Sequence, residues 1–259
     1  MKKTAPGFLF FVIAFSQFAF SFDQEMPNLK TPLNIEEKEG TFTVVHHFDH
    51  QNDNPFNISA ANVLIGFQYM AWQKLSFSFD HSYITTEKEI AFGAGYSFSF
   101  PQAFIETQID FQYLNFEPSD ITNRQNSFFI LGSLRSLPDP VIQKVRLITN
   151  VSYDSFNERP GLGFGIDIQI LKDHGTLQAL NIFGEYLPVL DKDIGIDTYV
   201  GDTNTYTFGV AILTYGHQFL ITAGNTFDLG TRRLMLGSDT NRIFVGFNIK
   251  RHFDFGEEE

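Results

Sequence analysis

Residues 89–114, EIAFGAGYSFSFPQAFIETQIDFQYL, determine the fold class of this chain of 259 residues. From Ile90 to Phe100, mostly large residues alternate with Ala, Gly and Ser, and from Ile105 to Tyr113 apolar residues and a threonine alternate with Glu, Gln and Asp. A period of two residues is typical of β-strands whose two faces meet different surroundings. The short stretch between the two runs, 101–104, begins with a proline. The sequence therefore predicts a hairpin with one apolar and one polar face.

The same alternation recurs along the chain and predicts about twelve strands. They lie at 41–48, 61–70, 74–82, 89–100, 103–114, 126–136, 144–154, 161–170, 178–187, 205–213, 218–224 and 242–253. Most are longer than the roughly five or six residues usual in soluble sheets, and they approach the roughly 9–11 residues that a tilted strand needs to cross a membrane. Long and short connections alternate, as in barrels with large outer loops and tight periplasmic turns. We therefore predict an all-β, up-and-down antiparallel transmembrane β-barrel over 40–255.

The N-terminus carries the marks of export. Lys2 and Lys3 precede an uncharged run from Phe8 to Phe20, which at ~1.5 Å per residue is too short to span a ~30 Å hydrocarbon core as a helix. We expect residues 1–21 to be a signal peptide that is cleaved after Ser21. Residues 22–39 are expected to form an irregular periplasmic leader, and residues 256–259 an acidic tail.

Composition excludes several functional classes. The net charge of −12 argues against nucleic-acid binding, which needs a basic face against the phosphates. The absence of Cys excludes disulfides, cysteine metal sites and cysteine nucleophiles.

The aromatic residues suit a membrane-facing surface, and the 31 phenylalanines would form a lipid-facing coat. Tyrosines near strand ends are expected to form an interfacial girdle, namely Tyr69, Tyr96, Tyr113, Tyr153 and Tyr186.

Charged residues on the polar face of the strands are predicted to line the lumen of the barrel. They are Asp80, Glu106, Asp110, Arg146, Asp154, Asp167, Glu185 and Lys250. Acids predominate among them, so the lumen would favour small cations or neutral polar solutes. Gly161, Gly163 and Gly165 precede no helix and are expected to relieve crowding on the inner face. Arg232 and Arg233 in the loop 225–241 are most simply solvated, or else attracted across the mouth to the acidic loop 188–204.

Short motifs near the two ends of the predicted barrel also carry a family resemblance. The opening Gly40-Thr41-Phe42 with His46, His47 and Phe48, the later Gly224-Asn225-Thr226, and the closing GFNIKRHF at 246–253 resemble an uncharacterised bacterial family of outer-membrane-type β-barrels. The resemblance implies a fold and a location over about 40–255. It implies no catalytic or binding residues.

Two kinds of site chemistry have candidate residues in the sequence, and both sets of residues have simpler explanations. His46, His47, His50 and Asp53 are possible metal ligands, but neighbouring strand residues point to opposite faces, and a polar strand end is the simpler interpretation. None of the seven histidines has a serine two positions away, the simplest arrangement for a nucleophile and its base. A triad drawn from separate strands stays open. We therefore predict no catalytic residue, metal or cofactor.

The predicted function is a narrow pore, or a transport or structural barrel, in the bacterial outer membrane, with an unknown substrate. The expected partners are outer-membrane lipids and the barrel-assembly machinery, which would recognise the last strand through Phe247, Ile249, Phe253 and Phe255. One alternative is a lipid-modifying enzyme of the outer membrane. The other is a soluble periplasmic β-sandwich or lipid carrier.

Overall fold

A computed structural model describes residues 26–33, 35–50, 58–83, 87–118, 123–137, 144–190, 201 and 203–256. It contains twelve strands and little helix in this part of the chain. The strands are β1 (Glu39–His50), β2 (Ile58–Trp72), β3 (Leu75–Tyr83), β4 (Glu87–Phe100), β5 (Ile105–Pro118), β6 (Gln125–Ser136), β7 (Val145–Asp154), β8 (Arg159–His174), β9 (Leu177–Leu187), β10 (Thr205–Thr214), β11 (His217–Gly224) and β12 (Phe244–Asp254). Among the described residues, a 3₁₀ turn spans Pro101–Ala103, and one α-helix, here called α1, spans Thr231–Met235.

The twelve strands form one closed antiparallel barrel. Each strand pairs with its neighbours in sequence, and β1 also pairs with β12. Val44, for example, lies opposite Ile249 on β12 and opposite Ile65 on β2. The closed sheet confirms the predicted up-and-down barrel and its strand number. It also excludes the two-sheet sandwich, because closure leaves no strand edge unpaired.

The apolar face of the sheet points outward. On β5, Ile109 and Phe111 are 54% and 49% exposed, whereas Gln108, Asp110 and Gln112 between and beside them are buried. The same inversion of polarity continues around the barrel and is the arrangement expected when lipid surrounds the wall. Not every phenylalanine joins this coat, since Phe116, Phe129 and Phe183 are buried inside.

Tyrosines of the outer face lie towards the two ends of the barrel. Tyr69 and Tyr96 are near the end with the short turns, and Tyr113, Tyr153 and Tyr186 are near the opposite end. The N-terminal end of β1 and the C-terminal end of β12 both lie at the short-turn end, which we call the periplasmic end. Tyrosine rings favour the membrane–water interface because one side is apolar and the hydroxyl is polar.

The barrel is filled by two segments of its own chain. Residues 26–33, here called the plug, hydrogen-bond to inward-facing side chains of β5, β7 and β9. Residues 225–243, here called the lid, connect β11 to β12 and carry helix α1, all five residues of which are buried. Residues 26–33 of the predicted periplasmic leader lie inside the barrel rather than below it, whereas Glu36, Glu37 and Lys38 are exposed and Glu39 already belongs to β1.

No helix in the described ranges is long and apolar enough to cross a membrane.

The closed hydrogen-bonded wall should resist detergent until it is heated. We expect the folded protein to migrate faster than its boiled form on a denaturing gel, because a closed barrel stays compact in detergent. A single band whose position does not change on boiling would contradict the barrel.

Candidate functional site

The structure places all eight predicted lumen residues at inward-facing positions. Asp110, Asp154, Asp167, Glu185 and Lys250 are buried, while Asp80, Glu106 and Arg146 are partly buried. Two of the eight form an ion pair with each other, since Arg146 Nη1 lies 3.8 Å from Asp167 Oδ2. The others are distributed around the wall: Asp154 pairs with Arg232 of the loop 225–241, and most of the remainder meet polar groups of the wall or of the plug.

Several of those partners are themselves inward-facing residues of the barrel wall. Arg135 forms an ion pair with Glu106, and Asn181 donates to both carboxylate oxygens of Asp167, at 3.1 and 2.9 Å. Gln108 donates to Asp110 Oδ1 at 2.7 Å. Alternation places the charged Arg135 on the inner face of β6, and it places Gln108 and Asn181 on the inner face once uncharged polar side chains are counted as well.

The plug is anchored to strand β9 of the wall through the buried carboxylate of Glu185. Its Oε1 accepts the backbone N–H groups of Asn28 and Leu29 at 3.1 and 2.9 Å, and its Oε2 accepts from the Asn28 side chain at 2.8 Å. Asn28 Nδ2 also donates to Thr207 Oγ1 at 2.9 Å. One buried carboxylate therefore receives three hydrogen bonds from the plug.

Two amide side chains continue this anchoring towards the periplasmic end. Asn150 Oδ1 accepts the N–H of Lys30 at 2.9 Å, and Asn150 Nδ2 donates to the carbonyl of the same residue at 2.7 Å. Gln108 Oε1 accepts the N–H of Leu33 at 2.7 Å. The Lys30 ammonium lies 3.5 Å from Asp80 Oδ2. The plug is thus bound along its length.

The glycines of β8 provide the space in which the plug lies. A Cβ atom on Gly163 would fall 2.5 Å from Leu29 Cδ2, and one on Gly165 would fall 3.0 Å from Leu29 Cδ1 and 3.1 Å from Met26 Cε. Any larger residue there would occupy the position of the plug. The predicted role of these glycines on the inner face therefore has a specific physical reason.

The lid is held inside the barrel by a buried cationic side chain. Arg232 Nε lies 3.0 Å from Glu89 Oε2, and its Nη1 lies 3.2 Å from Asp154 Oδ2. The guanidinium also lies over the ring of Phe116, 4.1 Å from its centroid. Arg232 and Arg233 are both 2% exposed, so the expectation of solvated loop arginines is wrong. The acids at 191, 193, 197 and 202 that would have attracted them lie outside the described residues.

Hydrogen bonds also join the lid to the neighbouring outer loop and to the plug. The backbones of Thr203 and Ser238 form a β-bridge, with N–H to carbonyl distances of 3.1 and 2.9 Å. Further inside, Thr231 Oγ1 donates to the carbonyl of Asn28 at 3.1 Å. The plug and the lid therefore meet within the barrel.

The charges of the wall and of the two inserted segments are complementary. On the described strands, inward-facing carboxylates outnumber inward-facing cations, with Glu39 and Glu89 adding to the predicted acids. The inserted segments contribute Lys30 and Arg232, whereas Arg233 forms an ion pair with Asp228 of the lid itself. Buried charges are tolerated in a protein when they are paired and hydrogen-bonded. The inserted segments thus neutralise part of an acidic wall.

A small polar cavity remains between the plug, the lid and strands β1 to β5. Its water-accessible volume is about 80 Å³, and its lining includes Lys30, Asp80, Gln112, Arg232 and Lys250. At about 10–15 Å³ per water centre, it has room for a few water molecules.

The histidines considered for chemistry are separated by the wall. His46 faces outward and stacks on Phe247 with 4.7 Å between ring centroids, whereas His47 is buried inside. His252 Nε2 lies 3.2 Å from Glu39 Oε2. Asp53 lies outside the described residues. Within the described ranges, no group of three or more His, Asp or Glu side chains has the arrangement of a metal site.

Known barrels resemble this structure in fold. The KdgM porin superposes with a TM-score of 0.54 at 10% identity, covering 83% of this chain and 99% of the porin. LpxR from Salmonella typhimurium gives 0.49 at 10% identity, with 84% and 100% covered, and outer membrane phospholipase A from Escherichia coli gives 0.46 at 10% identity, with 86% and 93% covered. At these identities the likeness shows the fold alone.

The sequence itself matches one family. No curated protein matches the chain, but residues 145–253, from β7 to β12, match the model of a family described as "Membrane bound beta barrel domain (DUF5777)". This match agrees with the resemblance noted in the sequence, with the closed barrel and with its apolar outer face. The chain is a β-barrel protein of the bacterial outer membrane, and its second half matches the DUF5777 family of membrane-bound barrel domains.

Proposed function

We propose that this protein is a gated channel for small cations or neutral polar solutes across the outer membrane. The observation that carries the proposal is that an acidic, polar wall surrounds a lumen filled by segments that are not part of that wall. Strands β1 to β12 close without them, because every wall strand has its two neighbours. Movement of the plug or the lid would therefore open a hydrated path while the barrel stays intact.

The charge of the wall determines the expected selectivity. Displacing Lys30 and Arg232 would leave Asp80, Glu89 and Asp154 facing water without those cations. Fixed carboxylates along a narrow path attract cations and repel anions. Neutral solutes would meet amide side chains such as those of Gln112 and Asn150.

Planar bilayer recording tests the channel directly. The informative variant is Asn28→Ala/Leu29→Gly, called the plug variant, because it removes plug contacts and leaves the wall unchanged. We expect the wild-type protein to be mostly closed and the plug variant to conduct steadily with a preference for cations. Adding Asp80→Asn and Asp110→Asn to the plug variant should reduce that preference, and 1 M salt should reduce it as well, since the Debye length is then only ~3 Å.

The matched control is Glu117→Gln, which neutralises an exposed carboxylate outside the lumen. It should leave the selectivity of the plug variant unchanged. A plug variant that shows heat-modifiable migration and a released plug, yet stays silent or prefers anions, would overturn the proposed function.

We also propose that outer-membrane lipids cover the outer face between the two tyrosine-bearing ends. The support is the continuous apolar exposure of outward side chains such as Phe92, Ile109, Val151 and Ile221, each more than half exposed. The barrel-assembly machinery remains an expected partner through the closing strand β12.

A further inference from the structure

Recognition of the plug by the wall depends largely on its main chain. Glu185 accepts the N–H groups of two consecutive residues, Asn28 and Leu29. Asn150 pairs with both the N–H and the carbonyl of Lys30, and Gln108 accepts the N–H of Leu33. Four backbone N–H groups and one carbonyl are thus satisfied by wall side chains from three different strands. Every L-peptide that extends through the lumen offers the same groups.

Side-chain contacts add a selection for certain residues. The leucine at position 29 fits the space above Gly163 and Gly165. The asparagine before it donates to Glu185 and Thr207, and the lysine after it lies near Asp80. The wall therefore selects an asparagine, an apolar residue and a basic residue in that order.

The plug is non-helical and bends at residues 27–29, which turns the N–H groups of Asn28 and Leu29 towards the same carboxylate oxygen of Glu185. Pro27 and Pro32 fix their own φ near −65° and disfavour helical geometry at the residues before them. Neither proline has an N–H group that would need a partner. A peptide whose prolines already disfavour helical conformations loses less conformational freedom when it binds along this path.

We infer that this surface of the lumen is a peptide-binding site and that the plug is its built-in, exchangeable ligand. The ligand class is a short non-helical peptide with an Asn-Leu-Lys type sequence that can take the same bend as the plug. Such a peptide would compete with the plug for Glu185, Asn150 and the glycines of β8. The inference rests on the proposed function, because the site lies in the lumen that the channel would use.

Because the plug belongs to the same chain, it keeps the peptide-binding site occupied when no free peptide is present. A tethered ligand has an effective concentration in the millimolar range when its linker is short, and only residues 34–38 separate the plug from β1. A free peptide must therefore be abundant or bind tightly to replace it. Weakening the plug should expose the site to peptides at far lower concentration.

The binding test uses the full chain in detergent micelles and a labelled peptide, Met-Pro-Asn-Leu-Lys-Thr-Pro-Leu, which copies residues 26–33. Fluorescence anisotropy should show that the plug variant Asn28→Ala/Leu29→Gly binds this probe at least about tenfold more tightly than the wild-type protein. Adding Glu185→Gln or Asn150→Ala to the plug variant should weaken binding by about tenfold or more, since each removes hydrogen bonds that are buried in the occupied site.

Matched controls separate site contacts from general effects of substitution. Glu117→Gln and Asn126→Ala alter the same residue types on the exposed outer face and should leave probe binding unchanged. A probe that carries Leu29→Asp should bind at least about tenfold more weakly, because its carboxylate would enter a buried apolar space.

Release of the plug is measured separately by trypsin cleavage after Lys30. If the plug variant remains resistant there, the plug is not exchangeable and the inference fails. The inference also fails if a folded plug variant with a released plug binds no probe, or binds it equally well with Glu185→Gln and Asn150→Ala. A plug variant that conducts but ignores the probe refutes only the peptide site, whereas one that binds the probe but never conducts refutes only the channel.

Discussion

Replacing Arg232 with alanine is expected to shift the lid towards an open state by about 100-fold or more. In the closed barrel this arginine contacts two buried carboxylates, Glu89 and Asp154, and a ring face, Phe116. Removing one partner of a buried charge cluster typically costs about 3–5 kcal/mol, and each 1.4 kcal/mol is a tenfold change in an equilibrium constant. In the open state water can solvate both carboxylates, so the cost falls on the closed state.

Trypsin cleavage after Arg233 measures this opening, because that residue is buried in the closed lid and is retained in the variant. The cleavage rate follows the open population when the lid opens and closes quickly. Arg124→Ala, which removes an exposed arginine that bonds to Asn115, should leave the rate unchanged. An Arg232→Ala protein that is folded and as resistant as the wild type would show that the ion pairs do not hold the lid.

Replacing Gly163 with valine is expected to expel the plug without unfolding the wall. A Cβ atom there would lie 2.5 Å from Leu29 Cδ2 and 3.5 Å from Leu187 Cγ, and valine adds two further carbons. Overpacking of this kind costs about 1–3 kcal/mol, which corresponds to a population change of roughly 5- to 150-fold. The strand itself should tolerate the change, because valine favours β-structure.

The measurement is trypsin cleavage after Lys30 together with steady conductance in a bilayer. Gly132→Val is the matched control, since Gly132 faces outward on β6 and a Cβ there would meet only the carbonyl oxygen of Val151, at 3.7 Å. We expect the control to keep the plug protected. If Lys30 is protected from trypsin equally well in Gly163→Val and in the wild type, the glycines of β8 do not provide the space that the plug needs.

The wall was largely predictable from sequence because it follows from a local rule. With a period of two, every second residue of a strand shares a face, so identifying Asp110 as inward also assigns Gln108 and Gln112 to the interior. The same rule correctly assigned the tyrosines to the outer face of the barrel and the glycines of β8 to its inner face. The number of strands followed from the repeat of this pattern along the chain.

The contents of the barrel were not predictable in the same way. Residues 26–33 have no periodic pattern, and their partner Glu185 lies 157 positions from Asn28 in sequence. Arg232 meets Glu89 at a separation of 143 positions. In a single sequence, a charged residue in a loop looks the same whether it contacts water or a carboxylate on a distant strand. The available hints were the excess of acids on the wall and the unusual glycines, which indicated room for something else.

The two inserted segments are joined to the two strands that close the barrel. Only residues 34–38 separate the plug from β1, and the lid leads directly into β12. Strands β1 and β12 are the first and the last strands in sequence, and they pair with each other. Contacts between distant parts of a chain form late, because a large loop must first be ordered. We therefore expect the plug and the lid to enter the barrel before β1 pairs with β12. Filling of the lumen and closure of the barrel would then be coupled in one late step of assembly.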